Sequence, residues 1–271
     1  MFLGKAYYTG RRYLWWMLAH RRFAGEKPDG KLPCLQFAHK TPLLRKLKDV
    51  DMYLQYNKII NLRIASGRLN NLVIHPGERF SFWKLIGKPT RSKGYVDGMV
   101  LFCGTYHAGT GGGLCQLSNL IYWMTLHTPL TIKERYRHSY DVFPDSGRTQ
   151  PFGSGATCVY NYRDLIIENN TAQPFQLCLE VTDEYLSGEW RSTSEPRYRY
   201  HVYEKNHRMN LECWGGYTRH NELRRELYDT DGSLFYDEFI TENHAVMMYQ
   251  PFLEDGNQAA GCKDGNLNSN P

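Results

Sequence analysis

The stretch from Gly111 to His138 carries the residue types best suited to chemistry. Three consecutive glycines, Gly111, Gly112 and Gly113, precede Cys115, and His138 follows further along the chain. The thiolate is the reactive form of cysteine, and the positive end of a helix dipole lowers a thiol pKa. Glycines before a helix also let backbone N–H groups approach an oxyanion closely. This pattern predicts acyl transfer or amide hydrolysis, with Cys115 as nucleophile and His138 as base.

A catalytic histidine also needs a group that orients it. Asp145 is the predicted partner of His138, and Asp141 is an alternative. The backbone N–H groups near Gly112 and Gly113 are the predicted oxyanion donors. The same region predicts a binding cleft, lined by Gly111, Gly112, Gly113, Gln116, Ser118 and Tyr122. This cleft requires no covalent chemistry, so the sequence leaves an enzyme and a binding module both open.

Two other interpretations compete for the cysteine. Free cysteine is among the most buried residue types, so Cys115 also fits an inert packed thiol. Zinc binding by Cys103, His107, Cys115 and His138 is disfavoured, because only the first two ligands lie close together in the sequence. We therefore predict no metal and no cofactor.

Composition limits the class of protein. The chain has 271 residues and a formal net charge of +5, with 33 basic residues scattered among 28 acidic ones. Without a dense basic stripe, a nucleic-acid partner is not predicted. Seven cysteines at irregular spacings, with no C-x-x-C pair, do not indicate a complete disulfide framework.

The N-terminal segment "GRRYLWWMLAHRRF" has an apolar centre far shorter than the roughly 18 residues that span a bilayer, and it lacks a small-residue cleavage site. We expect a helix docked on the domain. Arginines flanking two tryptophans also suit a helix in peripheral contact with a membrane surface. The expected location is the cytoplasm or the inner face of the membrane.

Hydrophobic periodicity predicts an α+β fold. Helical spacing runs from residue 48 to Gly67, and a second helix begins near Cys115 and ends before Pro129. "NLVIHPGERFSFW" predicts a hairpin around Pro76-Gly77. Further strands are predicted, among them "LTIKERY", "ATCVYNY", "QLCLEVTD", "YLSGEWRS" and "YRYHVYEK", together with a hairpin turn at Asp231-Gly232. The N-terminal helices, the Gly-rich junction and the Cys-bearing helix should pack on a β-rich middle and C-terminal part.

Several stretches resemble the VanW family, which occurs in some glycopeptide-resistance gene clusters. They are "HPGERFSFWKLIG", "GYVDGMVL", "GGGLCQLSNLIYWMTLHTPLTIKERYRHSYDVFPD" and "DLIIENNT", and the resemblance covers roughly residues 50 to 185. With it, we expect an appended helix over 1–25, a VanW-like domain over 35–190, a β-rich extension over 191–262 and a disordered tail over 263–271.

The resemblance implies a bacterial cell-envelope role, with a peptidoglycan peptide or precursor as the expected partner. A non-catalytic binding module would instead take a peptidoglycan fragment or the glycopeptide itself. The resemblance also implies a link to vancomycin resistance, and leaves a scaffold for other resistance proteins as a further alternative. One departure bears on the predicted triad. Many members of the family carry an acidic residue where Gly155 stands in "PFGSGAT". Asp141, Asp145 or Asp164 would then have to orient His138.

Overall fold

The computed structural model describes residues 2–19, 22–44, 51–102, 104–142, 144 and 150–251. In this part of the chain the α-helices are α1 (Phe2–Leu18), α2 (Met52–Leu69), α3 (Phe82–Ile86) and α4 (Cys115–Leu126). The strands are β1 (Cys34–Pro42), β2 (Leu72–Ile74), β3 (Arg79–Ser81), β4 (Asp97–Phe102), β5 (Thr105–Thr110), β6 (Thr131–Glu134), β7 (Tyr140–Asp141), β8 (Ile166–Glu168), β9 (Phe175–Val181), β10 (Tyr185–Ser192), β11 (Arg199–Leu211), β12 (Tyr217–Tyr228) and β13 (Leu234–Met247). The predicted α+β class, with a β-rich middle and C-terminal part, is confirmed.

The strands form four sheets among the described residues. Their orders are β1-β10-β9-β2, β11-β12-β13-β7, β3-β8-β6 and β4-β5. The long β12–β13 pair turns at Asp231-Gly232, as predicted, and Gly232 has a φ of 85° that favours glycine. None of the helices in the described ranges has the length and apolar character needed to cross a bilayer.

Helix α4 is the central helix of the core. It packs against β1 and β10, and its residues from Leu120 to Leu126 are all buried. The indole N–H of Trp190 on β10 donates to the hydroxyl of Thr125 at 3.2 Å, so the polar atoms at this contact are paired. Burial on every side from Leu120 to Leu126 explains why this part of α4 is almost entirely apolar. Cys115, its first residue, is therefore held by a rigid element.

The predicted hairpin at Pro76-Gly77 is wrong. A turn does form, with the N–H of Glu78 donating to the carbonyl of His75 at 2.9 Å. However, β2 pairs with β9 and β3 pairs with β8, so the two strands do not pair with each other. The side chain of Ser81 accepts from the N–H of Lys84, and this N-cap starts α3 directly after β3. Because the cap at Ser81 starts a helix, the residues that follow do not continue the strand predicted for them.

The stretch "ATCVYNY" was predicted as a strand and is instead a loop. Its only ladder contact among the described residues is an isolated bridge, in which Val159 and Arg163 exchange both backbone hydrogen bonds at 2.9 and 3.0 Å. These bonds close a tight loop over the three residues between them. Ala156, which precedes this tight loop, lies against the start of α4. The hydroxyl of Ser118 donates to the Ala156 carbonyl at 2.7 Å.

Candidate functional site

The glycine run packs against α2 and β4 before the chain enters α4. Gly113 has a φ of +89°, and a Cβ there would lie 2.3 Å from the Lys58 side chain. The amide of Asn61 on α2 donates to the carbonyls of Gly112 and Val96, at 2.9 and 3.0 Å. These contacts fix the path of the backbone into α4 and require residues without side chains.

Two N–H groups of the glycine run already have partners. The N–H of Gly112 donates to the carbonyl of Gly109 at 2.9 Å, and that of Gly111 donates to the carbonyl of Val96 at 3.0 Å. An N–H in a backbone hydrogen bond of this kind does not point at a substrate oxygen. In this conformation the predicted oxyanion donor at Gly112 is therefore occupied.

Cys115 begins α4, as predicted, but its thiol is not activated. The residue is only partly exposed, and burial raises the pKa of the Cys115 thiol above its ordinary value. Hydrogen bonding from backbone groups of Cys158 and Cys115 itself opposes this pKa shift without reversing it. This pKa direction is opposite to the lowering expected at a helix N-terminus, because the loss of solvation is the largest contribution.

A second cysteine lies beside the first. Burial, the Asp164 carboxyl and the Cys115 thiol together raise the pKa of Cys158 well above its ordinary value. Ser118 opposes this pKa rise, and its hydroxyl also bonds the carbonyl of Cys115 at 3.2 Å. Two protonated thiols and a hydroxyl thus share this interior position. Sequence reasoning missed Cys158, which is 43 positions from Cys115 and stood in a stretch predicted as strand.

His138 does not complete a catalytic pair with Cys115. It lies between β6 and β7, and no hydrogen bond within the described residues joins it to Cys115. Its Nε2 atom is buried without a partner. Burial lowers the pKa of His138, and Arg137 and Arg163 lower that pKa further. The lowered pKa favours neutral imidazole, but its buried Nε2 makes no hydrogen bond to the thiol that it was predicted to deprotonate.

Asp145 and Asp141 are the carboxylates predicted to orient His138. Asp145 is outside the described residues. Asp141 is buried and accepts hydrogen bonds from Tyr249 at 3.0 Å and from Arg219 at 3.4 Å, which tie it to the C-terminal sheet. Neither of these contacts orients His138.

The remaining predicted binding residues are engaged in packing. The Gln116 amide donates to the hydroxyl of Thr41 and the carbonyl of Pro42, at 3.0 and 2.9 Å, and so links α4 to β1. Ser118 and Tyr122 are 0% and 1% exposed. In this conformation neither of these two side chains reaches solvent.

Asp164 is the most perturbed carboxyl group near the cysteines. It is fully buried and accepts hydrogen bonds from the Ser81 hydroxyl at 2.5 Å and the N–H of Trp83 at 3.0 Å. Burial raises its pKa to about 7, although these hydrogen bonds and Arg12 act in the opposite direction. Nearby, Glu134 accepts from Arg12 at 2.8 Å and from the N–H of Asp164 at 3.0 Å. This network joins α1 to the interior of the protein.

An open cleft lies beside the glycine run and was not predicted. Its volume is about 560 Å³. It is called here the α2 cleft and is lined by Tyr53, Asn57, Arg91, Gly94, Tyr95, Val96, Asp97 and Ala108. Arg91 and Asp97 pair at 2.6 Å, and the Asn57 amide donates to the Asp97 carbonyl at 2.7 Å. Residues of these types are common on any surface, so no sequence pattern marks the cleft.

A second cavity, of about 630 Å³, lies over β1, β10 and β9, with Lys31, Lys40, Glu180 and Glu189 among its lining residues.

Within the described ranges, no group of three or more His, Cys, Asp or Glu residues is placed to hold a metal ion. Cys103, named in the zinc alternative, is outside those ranges.

Comparison with known proteins gives consistent matches. The family described as VanW like protein matches residues 57–191. The chain is 36% identical over 178 residues to the vancomycin B-type resistance protein VanW of Enterococcus faecalis, covering 66% of this chain and 64% of that protein. It is 32% identical over 114 residues to the uncharacterized protein YoaR of Bacillus subtilis, covering 42% of this chain and 36% of that protein. The chain thus spans less than two thirds of either relative, and no solved structure matches it significantly.

Proposed function

The chain belongs to the VanW family, and from that premise we propose that it acts in a bacterial response to vancomycin-type glycopeptides as a non-catalytic binding module. Its ligand is a peptidoglycan peptide or precursor, bound in the α2 cleft. The name of the Enterococcus relative supports the link to vancomycin resistance. The cleft lies almost wholly within the part of the chain that matches the family.

The pKa of Cys115 and the hydrogen bonding around it favour a binding module over an enzyme. An acyl-transfer centre needs a thiolate, a base within hydrogen-bond reach and free oxyanion donors. Here the pKa of the Cys115 thiol is raised, its predicted base is not bonded to it, and the N–H of Gly112 is already paired. The glycines are explained by close packing, which requires no substrate.

The α2 cleft offers groups that suit a peptide or sugar ligand. The Tyr53 side chain is 53% exposed and presents an aromatic surface at the rim. The Arg91 side chain is 76% exposed, and its guanidinium, which pairs with Asp97 at 2.6 Å, has further N–H groups that can donate to the carboxylate of a stem peptide. Asn57, whose amide donates to the Asp97 carbonyl, adds a neutral polar group to the lining. A few convergent polar groups around an aromatic wall are the usual composition of a small-ligand site.

Binding is tested with a soluble peptidoglycan stem peptide, with and without its disaccharide, by isothermal titration calorimetry. Tyr53→Ala should weaken binding by about three- to tenfold, which corresponds to the loss of one aromatic contact. Arg91→Gln should weaken it further. The matched control is Tyr56→Ala, because Tyr56 is 55% exposed on the same helix and does not line the cleft. No binding, or equal effects of Tyr53→Ala and Tyr56→Ala, would overturn the ligand site.

Catalysis is tested separately by complementation of glycopeptide resistance in a host that lacks the gene. If the protein only binds, Cys115→Ala and His138→Ala should retain activity once soluble folded protein is confirmed. Loss of resistance in both folded variants would establish the enzymatic alternative. Retained resistance in a protein that binds no cell-wall peptide would instead favour a scaffold for other resistance proteins.

A further inference from the structure

Two histidines face each other across the C-terminal sheet. His220 on β12 and His244 on β13 are directly paired across the strands, and their Nδ1 atoms are 2.6 Å apart. The rings lie on an accessible face, with His244 exposed and His220 half-buried. Both strands lie outside residues 57–191, so this pair is independent of the family match and of the proposed function.

The Nε2 atom of each ring has a hydrogen-bond partner, and this partner determines whether Nε2 carries a hydrogen. The Thr218 hydroxyl donates to the Glu212 carboxylate, so its oxygen must accept from His220, at 2.8 Å from Nε2. The Nε2 of His244 lies 3.3 Å from the carboxylate of Glu242, which can only accept. Both imidazoles therefore carry a hydrogen on Nε2.

This assignment leaves an unshared electron pair on each Nδ1. Two such pairs pointing at each other across 2.6 Å repel, and a cation between them removes the repulsion. Neutral imidazole nitrogen is a preferred ligand of Zn²⁺, Ni²⁺ and Cu²⁺. Hydrogen bonding of the second ring N–H to an oxygen acceptor is also the usual support of a metal-bound histidine, and the Thr218 hydroxyl and the Glu242 carboxylate supply such acceptors here.

We propose that His220 and His244 bind a divalent transition-metal ion through their Nδ1 atoms. Two Zn–N bonds of about 2.0–2.1 Å at a tetrahedral angle place the nitrogens about 3.4 Å apart, so the rings separate slightly on binding. Glu212 and Glu242 favour a cation by charge, whereas Arg208, paired opposite His220, opposes it. Water completes the coordination, since no third His, Cys, Asp or Glu of the described residues joins the pair.

The experiment titrates Zn²⁺ and Ni²⁺ into the full chain, free of any histidine tag, by calorimetry near pH 7.5. One ion should bind per chain, and Mg²⁺ should not bind, because hard cations prefer oxygen ligands. His220→Asn and His244→Asn should each lower the affinity at least tenfold. His201→Asn is the control, since His201 is an exposed histidine on β11 that pairs with Glu226.

A second variant separates metal support from simple exposure of two histidines. Thr218→Val removes the acceptor for the Nε2 hydrogen of His220 and leaves both ligands in place. It should lower metal affinity by about tenfold or more. Absence of Zn²⁺ and Ni²⁺ binding, with NMR showing one proton shared by the two rings, would overturn the proposal. Unchanged binding in the His220→Asn, His244→Asn double variant would overturn it equally.

Discussion

Gly98 and Gly112 meet backbone to backbone where β4 passes the start of the Cys-bearing helix. A Cβ at Gly112 would lie 2.2 Å from the carbonyl carbon and oxygen of Gly98, and a Cβ at Gly98 would lie 2.4 Å from the carbonyl oxygen of Gly112. Neither neighbour is a flexible side chain that can move aside. The middle glycine of the run is thus required by packing alone.

Gly112→Ala should therefore lower the free energy of unfolding by about 1–3 kcal/mol, as expected for overpacking against a rigid neighbour. The matched control is Gly67→Ala in α2, where a Cβ would meet nothing within 4 Å. Replacing this helical glycine should stabilise the protein by up to about 1 kcal/mol. Urea denaturation of both variants measures the difference, and similar midpoints would refute the packing explanation.

Thiol labelling tests the environment of Cys115. Among the described cysteines, Cys213 is exposed, whereas burial raises the pKa of Cys115, Cys158 and Cys178. Of the described cysteines, Cys213 should consequently react fastest with iodoacetamide in the native protein at neutral pH, because reaction requires an accessible thiolate. This order replaces the sequence-based hypothesis that Cys115 is activated by its helix.

Site-resolved mass spectrometry gives the rates, and labelling in denaturant provides the reference in which burial no longer protects any thiol. Cys115 and Cys158 should gain reactivity strongly on unfolding, while Cys213 should change little. Faster native labelling of Cys115 than of Cys213 would restore the nucleophile interpretation.

Local sequence patterns predicted α4, the β10 and β11 strands and the Asp231-Gly232 turn, because each depends on neighbouring residues. The strand pairing of β2 with β9 depends on residues about 100 positions apart, which periodicity does not reveal. The position of Cys115 at a helix start was predictable as well. The rise of its pKa was not, since this comes from burial in the folded protein, which outweighs a hydrogen bond from the backbone of Cys158, 43 positions away.

The pKa of Asp164 should make stability fall as pH rises. Burial raises this pKa from 3.8 to about 7, so between these values the native state binds a proton that the unfolded state has lost. The free energy of unfolding should then decrease by up to about 1.4 kcal/mol per pH unit from pH 4 to 7. Asp164→Asn should remove this contribution, as measured by urea denaturation at several pH values.

The control for this prediction is Asp183→Asn, which removes a carboxyl group with a fully exposed side chain. It should keep the pH dependence of the unaltered protein. If Asp164→Asn and Asp183→Asn show the same dependence from pH 4 to 7, Asp164 does not carry the effect.

His127 should make stability depend on pH in the opposite direction to Asp164. Burial lowers its pKa from 6.5 to about 4, its ring stacks on Phe37 at 3.9 Å, and its Nδ1 bonds the Trp123 carbonyl at 2.9 Å. Between pH 6.5 and 4 the unfolded state binds a proton that the native state excludes. Stability should therefore fall as pH decreases across this window, by up to about 1.4 kcal/mol per pH unit.

The two groups oppose each other between pH 4 and 6.5, so single variants should change the slope of stability against pH in opposite directions. His127→Gln keeps an N–H donor but cannot titrate, so its slope should be more negative than that of the unaltered protein. In Asp164→Asn, with His127 intact, the slope should be more positive than that of the unaltered protein over the same range. His201→Gln, at a side chain that is 63% exposed, is the control for the loss of a histidine. Slope changes of the same sign in the two variants would show that one of these burial-induced pKa shifts is absent.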